Sequence, residues 1–247
     1  MKVLVIGDSC TDIFIYGDID RICPEAPVPV IKTTHRTKNR GMAENVVANL
    51  EALGCEVDII TNPNDIKKIR YIDNRSNQLV LRVDEHDYCD KISNKELTKI
   101  REKSNEYDAV IISDYCKGFL TEEDIDFLIH NNHTVFLDTK KILGEWMYDV
   151  NFVKINEKEY EKTKRYVDDK KLNDKLIITR GSDGCQYQDN IYSVPQVDGV
   201  KDYSGAGDTF LSGFAYQYMD TKNVKSAINY AQECATIVVQ KHGVATI

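Results

Sequence analysis

Lys201-Asp-Tyr-Ser-Gly-Ala-Gly-Asp-Thr-Phe210 is the stretch on which the reading of this chain turns. Ser204, Gly205, Ala206 and Gly207 stand directly before Asp208, and an apolar, helix-compatible run follows through Phe210, Leu211, Phe214 and Ala215 to Tyr218. Small residues leading into a helix leave backbone N–H groups uncovered at the positive end of the helix dipole, a site for an anion and above all for phosphate. A carboxylate at Asp208 repels a phosphate bound beside it. The conflict is resolved if Asp208 takes the proton of a hydroxyl that attacks phosphorus while the amides hold the developing charge. The same residues also fit a plainer pattern, a helix opened by glycines with Asp208 as a favourable first-turn charge.

Working outward, Val224–Lys241 reads as a helix with Ala227, Ala231, Cys234, Ala235 and Val238 on its buried face. Before the glycines, strands and helices alternate. Strands are expected at Ala109–Ser113, Thr134–Asp138, Phe152–Ile155 and Lys175–Thr179, with a hairpin over Gly184–Val194. Helices are expected around Asn94–Asn105, Thr121–Ile129 and Glu157–Lys164. Such alternation predicts a parallel sheet covered by helices. Lys2–Gly7 fits a buried parallel strand that stops at a ligand edge, and Val57–Thr61 is a further strand. Asp8 and Asp12 follow the first strand, where carboxylates either grip sugar hydroxyls or cap a turn. A helix over Gly41–Leu53 carries Val46, Val47, Leu50 and Leu53 on one face and is closed by Gly54.

Ile13–Thr34 is extended, since Pro24, Pro27 and Pro29 exclude a helix. Lys67–Tyr71 and Gln78–Val83 read as two strands about a polar turn at Asp73–Asn77. These segments are expected to form a small sheet beside the main core. The expectation is one α/β domain over residues 1–247 with a small β appendage.

The 247 residues are 42% hydrophobic and 29% charged, enough for one substantial core. A net charge of −8 offers no basic stripe for a phosphate backbone and argues against a nucleic-acid partner. No apolar run reaches the ~18 residues of a membrane span, and Met1-Lys2 leads straight into a strand rather than a signal peptide. A soluble, cytoplasmic protein with no membrane partner is expected. The 7 cysteines are scattered and none forms Cys-x-x-Cys, which points to reduced thiols rather than a disulfide scaffold or a zinc site. His130 and His133 read as a polar helix end rather than metal ligands.

Gly205-Ala-Gly-Asp208, the strand end at Gly7-Asp8 and the helix start at Gly41-Met-Ala-Glu-Asn45 resemble the ribokinase-like (pfkB) carbohydrate kinases. Tyr16-Gly-Asp-Ile-Asp-Arg-Ile-Cys-Pro-Glu-Ala-Pro-Val-Pro-Val30 is similar, more narrowly, to the bacterial D-glycero-β-D-manno-heptose 7-phosphate kinases, including the kinase half of bifunctional ADP-heptose synthases. Gln78–Asp84, Asp114-Tyr-Cys-Lys-Gly118 and Thr179-Arg-Gly-Ser-Asp-Gly184 are similar to that group in the same order, so the resemblance spans nearly the whole chain. It implies a three-layer α/β/α sandwich with a mostly parallel central sheet. It also implies a β lid, from about 13–38 and 67–84, that closes over the sugar and pairs two subunits into a homodimer.

The activity implied by the resemblance is transfer of the γ-phosphoryl of ATP, with Mg²⁺, to the anomeric O1 of heptose 7-phosphate. The product, heptose 1,7-bisphosphate, would feed a nucleotide-activated heptose for lipopolysaccharide or another surface glycan. A monovalent cation is a further cofactor of such an enzyme to test. Asp208 matches the catalytic base, and Gly205, Ala206 and Gly207 match the anion hole. Asn156 and Glu159 match the element that organises Mg²⁺ and phosphates, although an Asn cap followed by a first-turn Glu has the same spelling. Thr179, Arg180, Gly181 and Gly184 match the turn lining the nucleotide, and Gly243 the element near adenine and ribose. Asp12, Gly41 and Asn45 match sugar-contacting positions. Arg40, Arg82 and Lys117 are the candidate cations for the 7-phosphate, each inside a matching segment near a strand or helix edge.

Two features depart from the pattern. Met42 stands where the family has a second glycine, and its side chain is expected to crowd the sugar. Between Thr61 and Lys67 lie only Asn62-Pro-Asn-Asp-Ile66, where the family has a helix–strand excursion. One edge is therefore expected to be trimmed, and apolar surface left uncovered there calls for a dimer or a partner. Two alternatives stay open: a kinase of another sugar or sugar phosphate, and a non-catalytic sugar- or nucleotide-binding protein derived from such a kinase.

Overall fold

The computed structural model describes residues 1–195, 197, 199–241 and 243–247. Its strands are β1 (Lys2–Gly7), β2 (Ser9–Ile22), β3 (Pro29–Met42), β4 (Glu56–Thr61), β5 (Ile66–Asp73), β6 (Leu79–Glu85), β7 (Ala109–Asp114), β8 (Val135–Thr139), β9 (Phe152–Asn156), β10 (Leu176–Thr179), β11 (Cys185–Tyr187) and β12 (Asn190–Tyr192). Its α-helices are α1 (Ala43–Ala52), α2 (Asn94–Glu102), α3 (Glu122–His130), α4 (Glu157–Thr163), α5 (Asp169–Leu172), α6 (Ala206–Thr221) and α7 (Val224–Val239).

The central sheet has the order β12-β11-β10-β9-β8-β7-β1-β4. It is parallel from β4 to β10 and antiparallel in the hairpin at the other edge. Its middle strands are apolar on both faces because helices cover both. Val3, Val5, Ile111 and Phe136 pack against α1, α6 and α7. Their neighbours Leu4, Ile6, Ile112 and Leu137 pack against α2 and α3. The period of two along each strand thus divides one sheet into two apolar layers. The result is the three-layer α/β/α sandwich expected from the sequence.

The second sheet has the order β3-β2-β5-β6, and holds the segments 13–38 and 67–84 assigned to the lid. Pairing of β2 with β3 runs from Ile22–Pro29 back to Ser9–Met42, so the hairpin is rooted at the exit of β1. Gly41 therefore ends a strand rather than opening the helix, and α1 starts at Ala43.

Met42 turns its side chain into the core. Its backbone takes φ 58° and ψ −129°, a region that disfavours side chains at a cost of about 1–3 kcal/mol. Its side chain is 3% exposed and joins the core cluster of Leu4, Ile6, Cys10 and Ile66. Burying it returns roughly 1.5–3 kcal/mol, which offsets the strain.

The shortened link after β4 passes straight into β5. Asn62 staples it, accepting the Ser9 N–H at 2.7 Å and donating to the carbonyls of Ser9 at 3.2 Å and Asn64 at 2.7 Å. The trimmed edge is more charged than apolar: Glu56 and Asp58 are exposed there and pair with Lys2, beside Ile59. A larger apolar exposure lies on the lid, at Leu79, Val80 and Leu81 of β6.

Candidate active site

The start of α6 is built for close approach. Gly205 is its N-cap at φ 83°, and a Cβ there would stand 2.7 Å from Asn45 Nδ2. The first helical bond of this turn runs from the Thr209 N–H to the Gly205 carbonyl at 2.9 Å. The N–H groups of Gly207 and Asp208 precede it, and no side chain among the described residues caps them. Gly207 leaves room for a cation, since a Cβ on it would lie 3.0 Å from Lys154 Nζ.

Asp208 is 3% exposed. Its Oδ2 accepts from Asn45 Nδ2 at 2.9 Å and its Oδ1 from the Tyr115 hydroxyl at 2.7 Å. Burial pushes its carboxyl above the usual range, and the two donors pull it back. Beside it runs a chain of charge. Lys154 meets Asp138 at 2.5 Å, Asp138 meets Lys140 at 3.2 Å, and Lys140 meets Glu159 at 2.8 Å. Burial works to raise the Asp138 pKa, but the two ammonium groups hold it below the ordinary value.

Asn156 and Glu159 take up the capping geometry that their spelling left open. Asn156 Oδ1 accepts the Glu159 N–H at 2.9 Å, and Glu159 Oε2 accepts the Asn156 N–H at 2.8 Å. Glu159 Oε1, bound to Lys140, links this cap to the charge chain. No group of three or more His, Cys, Asp or Glu able to hold a metal occurs among the described residues. That donor set does not cage a divalent cation, but it fits one that arrives on a polyphosphate and keeps most of its other oxygen ligands.

On the lid side the register aligns residues in rows. Asp12 pairs with Asn39 on β3 and with Lys68 on β5, and Lys68 pairs with Asp84 on β6. The next row on the same face holds Phe14, Arg70 and Arg82. Arg70 forms an ion pair with Asp12, and Gly41 lies directly against Asp12 and Cys10. Arg82 grips Asp84 through two contacts of 2.7 Å, and Lys117 meets Asp87 at 2.5 Å. Lys68 differs from all of these. It is 8% exposed, has no ion pair or hydrogen bond among the described residues, and lies 5.3 Å from the centre of the Tyr115 ring. Burial pushes its pKa down.

Several expected residues stand elsewhere. Arg40 follows Asn39 on β3, so alternation turns it to the opposite face, where it pairs with Glu51 at 2.9 Å. It does not join the other cations. Asp8 serves the fold: its carboxylate accepts the N–H groups of Tyr115 (2.7 Å), Lys117 (3.2 Å) and Phe119 (3.3 Å). Thr179, Gly181 and Gly184 line a cavity of about 350 Å³ with Val200, Phe210 and Val239, and Gly207 is also part of its wall. Arg180 points to Glu157 at 3.2 Å and does not line it. Gly243 lines a different cavity, of about 140 Å³, with Phe14, Arg70 and Asp202, next to Phe14 of β2 and Asn39 of β3.

Tyr115, Lys154, Lys68 and Arg70 are the residues that sequence reasoning missed. Tyr115 lay within a quoted matching segment, and Lys154 stands two residues before Asn156. Lys68 and Arg70 alternate on one strand, a spacing that also describes a solvated charged face.

No helix among the described residues is long and apolar enough to cross a membrane. A family model described as pfkB family carbohydrate kinase matches residues 71–247. Among curated proteins, the bifunctional protein HldE of Nitratiruptor sp. is 32% identical over 292 residues, which takes in 99% of this chain and 63% of the relative. The protein of the same name from Sulfurimonas denitrificans is 30% identical over 296 residues, covering 100% of this chain and 62% of the relative. The chain thus spans less than two thirds of the length of these relatives. Among solved structures, a carbohydrate kinase from Agrobacterium tumefaciens matches with a TM-score of 0.71 at 18% identity, covering 99% of this chain and 92% of that one. Ribokinase from Thermotoga maritima matches with a TM-score of 0.66 at 18% identity, covering 98% and 94%. These structural matches identify the fold as ribokinase-like.

Proposed function

This chain belongs to the pfkB family of carbohydrate kinases, and we propose that it transfers the γ-phosphoryl of ATP to O1 of D-glycero-β-D-manno-heptose 7-phosphate. The observation that carries this reading is the buried carboxylate of Asp208, gripped by Asn45 and Tyr115 at the uncapped start of α6. In the proposed reaction ATP lies with its base in the 350 Å³ cavity and its terminal phosphate at the N–H groups of Gly207 and Asp208. The sugar lies between Asp12, Gly41, Asn45 and Asp208. Asp208 accepts the proton of the attacking hydroxyl as its oxygen bonds to phosphorus and the bond to the bridging oxygen of ADP breaks. Charge gathering on the phosphoryl oxygens is met by the helix amides and by Lys154. Magnesium bound to ATP supplies charge neutralisation on the phosphates, and Asn156 and Glu159 are the side chains that would meet it.

Lys68 supports a phosphorylated sugar. A nearly buried ammonium without a counter-ion is stabilised when an anion arrives, and Arg82 and Lys117, each paired with a carboxylate of its own, add positive charge nearby. The heptose itself rests on the similarity of Tyr16–Val30 and the matching segments to heptose 7-phosphate kinases. The bisphosphate product would feed a nucleotide-activated heptose, and exposed Leu79, Val80 and Leu81 are the surface on which two lids would pair. ADP release from ATP and Mg²⁺, with and without potassium, across heptose 7-phosphate, fructose 6-phosphate and ribose tests the reading. Turnover on the heptose phosphate is expected. Turnover on another member would keep the chemistry and discard the heptose, and silence with ATP still bound would favour a non-catalytic binding protein.

A further inference from the structure

Tyr115 occupies a place that the reaction above does not explain. Its hydroxyl donates to Asp208 Oδ1 at 2.7 Å, while its ring is close to two ammonium groups, Lys68 at 5.3 Å and Lys140 at 5.1 Å from the ring centre. Lys68 comes from β5 of the lid and Lys140 from the turn after β8. The Tyr115 main chain is fixed separately, by donation of its N–H to Asp8 at the end of β1. Three parts of the fold therefore converge on one phenol.

We infer that Tyr115 is a positioning residue for the phosphoryl-transfer base: its hydroxyl keeps Asp208 ionised and aimed at the attacking hydroxyl. The inference rests on the assignment of Asp208 as that base. The charged and titratable groups that act most on Asp208 come from several elements. Asp138 from β8 opposes its ionisation and Lys154 from β9 favours it. Cys10 from β2 faces it as a neutral thiol, its pKa pushed far up by burial. Against the burial of the carboxylate stand two hydrogen-bond donors, Asn45 and Tyr115.

The two donors are held differently. Asn45 belongs to the α1–α6 contact, with its Oδ1 accepting from Asn49 at 3.3 Å and its amide also reaching the Gly205 carbonyl at 3.5 Å. Tyr115 is the donor whose ring meets the lid. Burial and the Asp208 charge push its own pKa well above the ordinary value, so it donates throughout the range in which a kinase works. Donation uses one lone pair of Oδ1 and leaves another for the proton of the sugar.

Tyr115→Phe keeps the ring and both lysines and deletes only the hydroxyl. Titration of the Asp208 carboxyl by ¹³C NMR in the unliganded protein, assigned by the signal lost in Asp208→Asn, reads the contact without turnover. The expected result is an Asp208 pKa higher in Tyr115→Phe than in the wild type. The base must be ionised, so activity is present above its pKa and lost as pH falls through it. A raised pKa therefore moves the acidic limb of kcat to higher pH. Above that limb kcat is expected to fall roughly ten- to a hundredfold, because the carboxylate is no longer held against the attacking hydroxyl, with a smaller change in sugar KM. Identical Asp208 titrations in the two proteins, or a loss of kcat with the acidic limb unmoved, would overturn the inference. A wild type with no kinase turnover would count against the reaction assigned to the site, whereas the NMR titration judges the Tyr115–Asp208 contact by itself.

Discussion

The two sheets of this protein differ in how far apolar packing holds them. In the central sheet, neighbouring residues on each strand bury into separate apolar layers, and Phe136 meets Phe152, Phe214 and Tyr218 ring to ring. In the second sheet, two rows on one face carry Asp12, Lys68, Arg70 and Arg82 beside the buried ring of Phe14, while Leu79, Val80 and Leu81 stand in solvent. The difference shows how labour is divided. Apolar packing holds α6 and with it Asp208, and the second sheet adds a face of charges that are paired or, among the described residues, unpaired. The candidate site lies where the two meet.

The sharpest way to break this comparison is at its junction. Asp208→Asn keeps the shape and the neighbours but removes the base, so turnover is expected to fall by about 10²–10⁴. Sugar binding, followed by calorimetry, should be largely kept, and unchanged turnover would take Asp208 out of its role. Within the core, Phe136→Ala should cost about 3–5 kcal/mol, read as a lower urea midpoint at unchanged slope. In the lid, Lys68→Met should leave the midpoint nearly unmoved but raise KM for a sugar phosphate by roughly ten- to a hundredfold, with little effect on an unphosphorylated sugar. A large stability loss in that variant would make Lys68 a structural residue instead. The smallest effect is expected at Leu81→Asn, within about 0.5 kcal/mol in monomer stability, because the side chain is already exposed. Sedimentation should nevertheless show weaker self-association if two lids pair there.

The central sheet was legible because its signal is local. The apolar runs at Ala109–Ser113 and Phe152–Ile155 became β7 and β9 within one residue, and Gly205–Asp208 spelled its own helix start. What the sequence could not reveal depended on distant partners. Gly41 looked like a helix start until Ser9–Cys10 paired beside it and drew it into β3. That same register turned Arg40 away from the site and brought Lys68 alongside Asp12. Asp8 and Asp12 were equivalent as letters, yet Asp8 was claimed by N–H groups more than a hundred residues on. Met42 warned of a crowded pocket, but its unusual backbone sends the side chain into the core instead. The short α5 has too few residues to show a period.

The most direct measurement is ³¹P NMR of the product formed from ATP, Mg²⁺ and D-glycero-β-D-manno-heptose 7-phosphate, run side by side with wild-type protein and Asp208→Asn. The expected result is one new resonance coupled to the anomeric proton in the wild type, with the 7-phosphate retained, and almost none in the variant. A phosphate on any other hydroxyl, inorganic phosphate in place of a sugar bisphosphate, or equal product from both proteins would contradict it.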